Sequence, residues 1–422
     1  MNQPTLSLIP MHGAIAADRP VTLDILVKIE PPQIARSLDR PPLNLGFVLD
    51  RSGSMRGAKI DYARQATAYA VEQLLPSDRL SLTLFDTHVK IEIPSTLATD
   101  KQQLLKTING IRTGSSTALH AGWVNGGLQV SEYLNPEQLN RVILLSDGLA
   151  NVGETNPDAI SNDVHGLMER GVTTTTLGVG ADYDEDLLEA MARSGDGNFF
   201  HIDSPEQLPG IFETELQGLA GTIGHSVTAT LNPLSGATVS DLLNDLEKTD
   251  EGALKLPNLI VGSPLNVVLR LRLPALKVSS PVLQVKLAWQ APNQTEVQHL
   301  ESTLELAVVN PAQMSDFPAN PEVQEQVALL MAARARQEAV KFADRGDMAG
   351  ASLSLRNVAV SLSAMPASPQ TMAESAALEN LATDFESGQK SMARKRARSE
   401  AYNLNRSRAS DYGKKRPTKP SR

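Results

Sequence analysis

A chain of 422 residues with 41% hydrophobic content can bury more than one core, and its lack of cysteine excludes disulfides, thiolate metal sites and thiol catalysis. No run of about eighteen apolar residues is present to span a bilayer. Met1–Pro10 lacks the basic and apolar segments of a secretory signal, so a cytoplasmic protein is expected. The net charge of −9 conceals an asymmetry: residues 390–422 carry twelve Lys or Arg against Glu400 and Asp411, a local +10, which leaves −19 for residues 1–389.

In chain order, residues 1–41 hold two alternating polar–apolar stretches, Thr5–Pro10 and Val21–Ile29, punctuated by Glu30-Pro-Pro and Arg40-Pro-Pro, which predict N-terminal strands. From Leu43 the pattern switches to strands alternating with helices. Strands are expected near 43–50, 79–86, 89–94, 141–147, 173–179 and 198–202, and helices near 59–75, 100–111, 117–133, 157–170, 184–193 and 205–219. Ser204-Pro205-Glu206 reads as a helix start with proline at the first helical position. This alternation over 42–220 predicts a doubly wound α/β domain, largely parallel, with ligands beyond the carboxyl ends of its strands.

After Gly224 the pattern reverts to alternating stretches at 225–231, 266–273, 282–289 and 297–309, and a β-sandwich over 222–310 is expected. A few N-terminal strands cannot bury an apolar face alone, so residues 1–41 are expected to return to this sandwich, with the α/β domain inserted between. Residues 318–391 turn to Ala, Leu, Glu, Gln and Met, which favour helix. They predict a hairpin of 323–343 and 348–364 and a third helix after Pro369. Residues 392–422 are expected to form a basic disordered tail.

The chemistry concentrates at Leu43-Asn-Leu-Gly-Phe-Val-Leu-Asp50-Arg-Ser52-Gly-Ser54. An apolar strand stopping at Asp50 and turning into two alternate hydroxyls brings three hard oxygens to one point, a magnesium-type arrangement. Gly114-Ser-Ser-Thr117 offers another hydroxyl before a helix, and Arg141-Val-Ile-Leu-Leu-Ser-Asp147-Gly148 is a second apolar strand ending on a carboxylate.

Those residues resemble a von Willebrand factor type A domain with a metal-ion-dependent adhesion site. The family's Asp-x-Ser-x-Ser falls on Asp50, Ser52 and Ser54, its threonine on Thr117 and its later aspartate on Asp147. Residues 146–153, 178–188 and 197–203 are similar to its bacterial branch. The resemblance implies that Ser52 and Ser54 ligate Mg²⁺ directly, with Mn²⁺ or Ca²⁺ as alternatives. Thr117 would ligate directly or through water, and Asp50 and Asp147 partly through water. An Asp or Glu of a protein partner would fill the open position. Two carboxylates and three neutral hydroxyls leave no net charge around a divalent ion, so it retains affinity for that outside anion.

A haloacid-dehalogenase-type phosphotransferase also starts from a strand-end aspartate, but Ser52 stands where its second acid belongs. His120 follows Thr117 by three positions and reads as a packing residue, so no enzyme is expected. The run Asp182, Asp184, Glu185 and Asp186 precedes a helix and reads as capping rather than a calcium loop. The function expected is a metal-dependent protein-binding scaffold. The alternative is an adaptor of a MoxR-like or chelatase-type AAA+ ATPase, which would be a separate chain because Gly-x-x-x-x-Gly-Lys-Ser/Thr is absent. A weaker alternative is nucleic-acid association through the basic tail.

Overall fold

The computed structural model describes residues 3–33, 41–292, 294, 296–366 and 368–407. In chain order the strands β1 (Thr5–Pro10), β2 (Ala14–Ala16) and β3 (Val21–Glu30) come first. An alternating series follows: β4 (Leu43–Asp50), α1 (Ala58–Gln73), β5 (Arg79–Phe85), β6 (Val89–Leu97), α2 (Lys101–Asn109), α3 (Leu119–Ser131), β7 (Leu139–Ser146), α4 (Pro157–Glu169), β8 (Val172–Val179), α5 (Glu185–Ser194), β9 (Phe199–Ile202) and α6 (Leu208–Ala220). Then come β10 (Thr222–Pro233), β11 (Thr238–Leu242), β12 (Leu254–Leu256), β13 (Leu259–Ile260), β14 (Leu265–Leu273), β15 (Ser280–Gln290) and β16 (Val297–Val309). Four helices close the described chain: α7 (Pro321–Asp344), α8 (Met348–Ser363), α9 (Pro369–Glu386) and α10 (Lys390–Asn405). The described residues divide into two compact units, one from 41–221 and one combining 3–33 with the described residues of 222–407.

The first unit is a six-stranded sheet in the order β6-β5-β4-β7-β8-β9, parallel throughout except for the antiparallel edge strand β6. Every residue of β4 and β7 is buried, which is why both read as unbroken apolar runs rather than alternating ones. On one face, Leu45, Phe47 and Leu49 pack against α1 and α6, with Phe47 stacked on Phe212 at 6.0 Å. On the other face glycine sets the spacing. A Cβ on Gly126 of α3 would stand 2.2 Å from Val48 Cγ2, and one on Gly46 would stand 2.7 Å from Val130 Cγ2. These absences let α3 sit close on β4, which brings Thr117, just before α3, to the end of the β4 strand. At the opposite end of the sheet Arg141 donates to Glu215 at 2.6 Å, and Thr175 and Asn198 donate to the same carboxylate. Burial pushes the Glu215 carboxyl up, but Arg141 and those donors outweigh it and hold it below the usual range.

In the second unit β3 lies between β1 and β14, antiparallel to both, with Ile25 opposite Leu269 and Val27 opposite Val267. β11 completes this four-stranded sheet. The other sheet runs β12-β10-β15-β16-β2, with β13 also paired to β10. One apolar cluster draws Ile25, Val27, Val267 and Leu269 from the first sheet and Val227, Val285, Leu287 and Leu306 from the second. The opposite face of β3 and β14, carrying Leu26 and Val268, packs on Val323 and Leu330. With both faces covered, Ile25, Leu26 and Val27 are consecutive buried residues.

Helices α7 to α10 share a core rich in alanine, from Ala332 and Ala339 to Ala393 and Ala397. The expectation of a disordered tail from residue 392 is corrected here, because α10 is helical from Lys390 to Asn405. Alanines 393, 397 and 401 form a small-residue stripe spaced by one turn and fully buried. Its charges find partners: Arg394 donates to Asp344 at 2.8 Å, Arg396 pairs with Asp384, and Glu400 accepts from Arg336 at 2.8 Å. Residues 408–422 of that expected tail lie outside the described residues. Among the described residues no helix is long and apolar enough to cross a membrane.

Candidate metal centre

Asp50 ends β4, and the backbone then enters a short 3₁₀ turn at Gly53–Met55. This turn folds Ser52 and Ser54 back over the strand end. The Ser52 N–H donates to Asp50 Oδ1 at 2.8 Å, and the Ser52 and Ser54 hydroxyls lie 3.0 Å apart. Ser54 Oγ donates to Asp147 Oδ1 at 2.7 Å, so the Ser52 hydroxyl is left to donate to Ser54. Asp147 itself stands one residue past the end of β7, the parallel neighbour of β4.

Thr117 arrives from the segment before α3. Its N–H donates to Asn151 Oδ1 at 3.1 Å, and the Ala118 N–H donates to the Asp86 carbonyl at 2.8 Å. Gly148 keeps the approach open, since a Cβ there would stand 3.2 Å from Thr117 Oγ1 and 3.8 Å from Asp50 Oδ2. The structure thus brings Asp50, Ser52, Ser54, Thr117 and Asp147 to one end of the central strands. Asp50, Ser52, Thr117 and Asp147 are all buried.

The loops are fastened to each other. Gly53 N–H donates to the Ser115 carbonyl, Arg51 pairs with Asp86 at 3.0 Å, and the His88 N–H donates to Asp86 Oδ1. Gly114 packs on Asp86 so tightly that a Cβ would fall 1.9 Å from its Oδ2. Side-chain burial of this kind preorganises the oxygens.

Burial pushes the Asp50 carboxyl up to about 6, against the hydrogen bonds from Ser146 and Ser52, and the neighbouring Asp147 charge adds to the rise. Two buried carboxylates with several hydroxyls, and no nitrogen or sulfur donor, fit a hard divalent cation. Among the described residues no three His, Asp or Glu side chains gather in a metal-holding group, so the candidate rests on two carboxylates and hydroxyls.

Three partners of this site went unmarked in the sequence reading. Ser146 Oγ donates to Asp50 Oδ2 at 2.6 Å, Asn151 holds Thr117, and the Lys59 ammonium pairs with Asp147 Oδ2. Ser146 adjoins Asp147 and Lys59 lies nine residues past Asp50, but no rule of spacing says where either side chain points. His120 pairs with Asp163 at 2.9 Å and stacks on Trp123. In the acidic run, Asp184 caps α5 by accepting from the Leu187 N–H. Ser204 makes no side-chain cap, and Pro205 opens a 3₁₀ turn rather than the helix itself.

Residues 44–214 match the von Willebrand factor type A domain, and the α/β unit has that fold. An uncharacterised protein of Synechocystis sp. is 27% identical over 337 residues, covering 76% of this chain and 78% of that protein. YfbK of Escherichia coli, also uncharacterised, is 28% identical over 50% of this chain and 36% of its own length. Human inter-alpha-trypsin inhibitor heavy chain H4 is 31% identical over 40% of this chain, and only 19% of that protein is spanned. Among solved structures, a von Willebrand factor type A protein from Catenulispora acidiphila superposes with a TM-score of 0.67 at 15% identity, over 91% of this chain and 90% of that one. The ArnB paralog VWA2 from Sulfolobus acidocaldarius gives 0.62 at 17% identity, over 96% and 99%. Both likenesses concern the fold.

Proposed function

We propose that this protein is a non-enzymatic, metal-dependent protein-binding module of the bacterial cytoplasm. In this reading Asp50, Ser52, Ser54, Thr117 and Asp147 hold Mg²⁺, or Mn²⁺ or Ca²⁺ in its place, and the ion accepts an Asp or Glu carboxylate from a partner protein. The observation that carries it is the convergence of two strand-end carboxylates with the Ser52–Ser54 hydroxyl chain around a space that Gly148 leaves clear.

When bound, the ion supplies a Lewis-acidic seat for an anionic oxygen. The chain supplies the rest. Ser146 and the Ser52 N–H orient Asp50, Ser54 orients Asp147, and Asn151 fixes the backbone of Thr117. The His120 ring is engaged with Asp163 rather than with these oxygens, which favours binding over proton transfer. The two sheets of the other unit, read as a β-sandwich, and helices α7 to α10 serve as scaffold.

Calorimetric titration of the full chain with Mg²⁺ and Mn²⁺, beside Asp50→Ala, tests the metal. Affinity capture with and without EDTA tests the partner. Saturable binding lost in Asp50→Ala, and partners lost on chelation, are the expected results. Equal capture in wild type, variant and chelator would refute the reading.

A further inference from the structure

The carboxylate of Asp147 already has a cation. Its Oδ1 accepts from Ser54, and its Oδ2 accepts from the ammonium of Lys59. Lys59 is the second residue of α1 and reaches across 88 positions of sequence to this carboxylate. The direction of the reach is built into the backbone. Gly57, at φ +76°, turns the chain into α1. Gly180, past the end of β8 at φ +77°, lies beside the lysine stem, whose Cε and Nζ are at ordinary contact distance, 3.7 Å, from where a Cβ would stand. The Lys59 side chain is only 24% exposed and that of Asp147 is fully buried, so water screens the pair weakly.

Charge decides what this lysine does. Asp50 and Asp147 place two negative charges at one end of the sheet, and without Lys59 the metal-free domain would bury both uncompensated. With Lys59 in place, a divalent ion must enter beside a fixed positive charge and share Asp147 with it. We propose that Lys59 is an intramolecular counter-cation that stabilises the metal-free domain and lowers its affinity for divalent metal, so that loading becomes reversible. The inference rests on the metal-site reading above and adds the residue that sets its affinity. A loaded site that keeps the ammonium carries one excess positive charge, which strengthens its preference for a carboxylate.

The test uses the full chain as wild type, Lys59→Met and Lys59→Gln. Met keeps the apolar stem, while Gln keeps a hydrogen-bond donor without the charge. Titration with Mg²⁺ and with Mn²⁺ should give binding about tenfold tighter or more in both variants, because a like charge beside the ion is removed. Thermal unfolding in EDTA should show both variants melting below wild type, with a larger rise on adding Mg²⁺ than wild type shows. Unchanged or weaker metal affinity in the two variants, with wild type binding normally, overturns the role of Lys59 and leaves the metal site standing. Absence of metal binding in wild type and both variants overturns the metal-site reading and this inference with it.

Discussion

Two clusters of buried charge, one at the strand ends of the α/β unit and one among the C-terminal helices, distribute a cation over two acids in different ways. Arg336 is 1% exposed, and its guanidinium is enclosed by Glu374 and Glu400. Its charged partners are side chains of the same helical bundle. Around Asp50 and Asp147 the Lys59 ammonium pairs with Asp147, while Asp50 accepts from the Ser146 hydroxyl and the Ser52 N–H. Burial holds Asp50 up at about 6, and the neighbouring Asp147 charge adds to the rise. A guanidinium that bridges both of its acids locks packing, whereas a carboxylate pair in which Asp50 is held by a hydroxyl and an N–H is suited to taking up an ion.

The largest expected effect lies in the Arg336 cluster. Arg336→Ala should cost about 3–5 kcal/mol, because it strands the buried Glu374 carboxylate and takes the guanidinium from the partly exposed Glu400, and chemical denaturation measures it. A loss within experimental error of a surface substitution would show that water reaches Glu374 and Glu400.

Removing an acid from the strand-end cluster should act in the other direction on stability. A carboxyl at about 6 in the folded chain and 3.8 unfolded makes the folded state bind more protons between those values. The metal-free protein should therefore lose on the order of 2–3 kcal/mol as pH rises from about 4 to 6, and stay level above. Asp50→Asn should lack this slope and be the more stable protein at neutral pH in EDTA, while losing Mg²⁺ binding. Denaturation curves across pH in EDTA check the sign, and parallel slopes in the two proteins would contradict it.

Smaller effects should sharpen the geometry. Gly148→Ala places a methyl 3.2 Å from Thr117 Oγ1, so it should weaken Mg²⁺ binding a few-fold with little change in melting temperature. Thr117→Ala should be the mildest for metal affinity and more damaging for partner capture, as expected if the threonine ligates directly only in the engaged state. Calorimetry paired with pull-down separates the two outcomes.

Much of the α/β unit could be read from the chain. β4 and β7 are central strands buried on both faces, so each leaves an uninterrupted apolar run, and in a parallel sheet such runs end on the same side. Because β4 and β7 are also neighbours in the sheet, Asp50 and Asp147 come together. α10 escaped the same reading because its buried stripe consists of alanines between arginines, which carries almost no hydropathy signal. The partners that make the arginines tolerable, Asp344 and Asp384, lie on other helices.

By itself, then, the sequence determined the alternation of strands and helices and the oxygen-bearing residues at the strand ends, because each follows from local periodicity or chain geometry. Tertiary structure alone decided that β3 pairs with β14, that alanine-faced α10 packs among its neighbours, and that Lys59 and Ser146 attach to Asp147 and Asp50. Those contacts join residues far apart along the chain, and their energies depend on side-chain direction and on the exclusion of water, neither of which is written in local spacing.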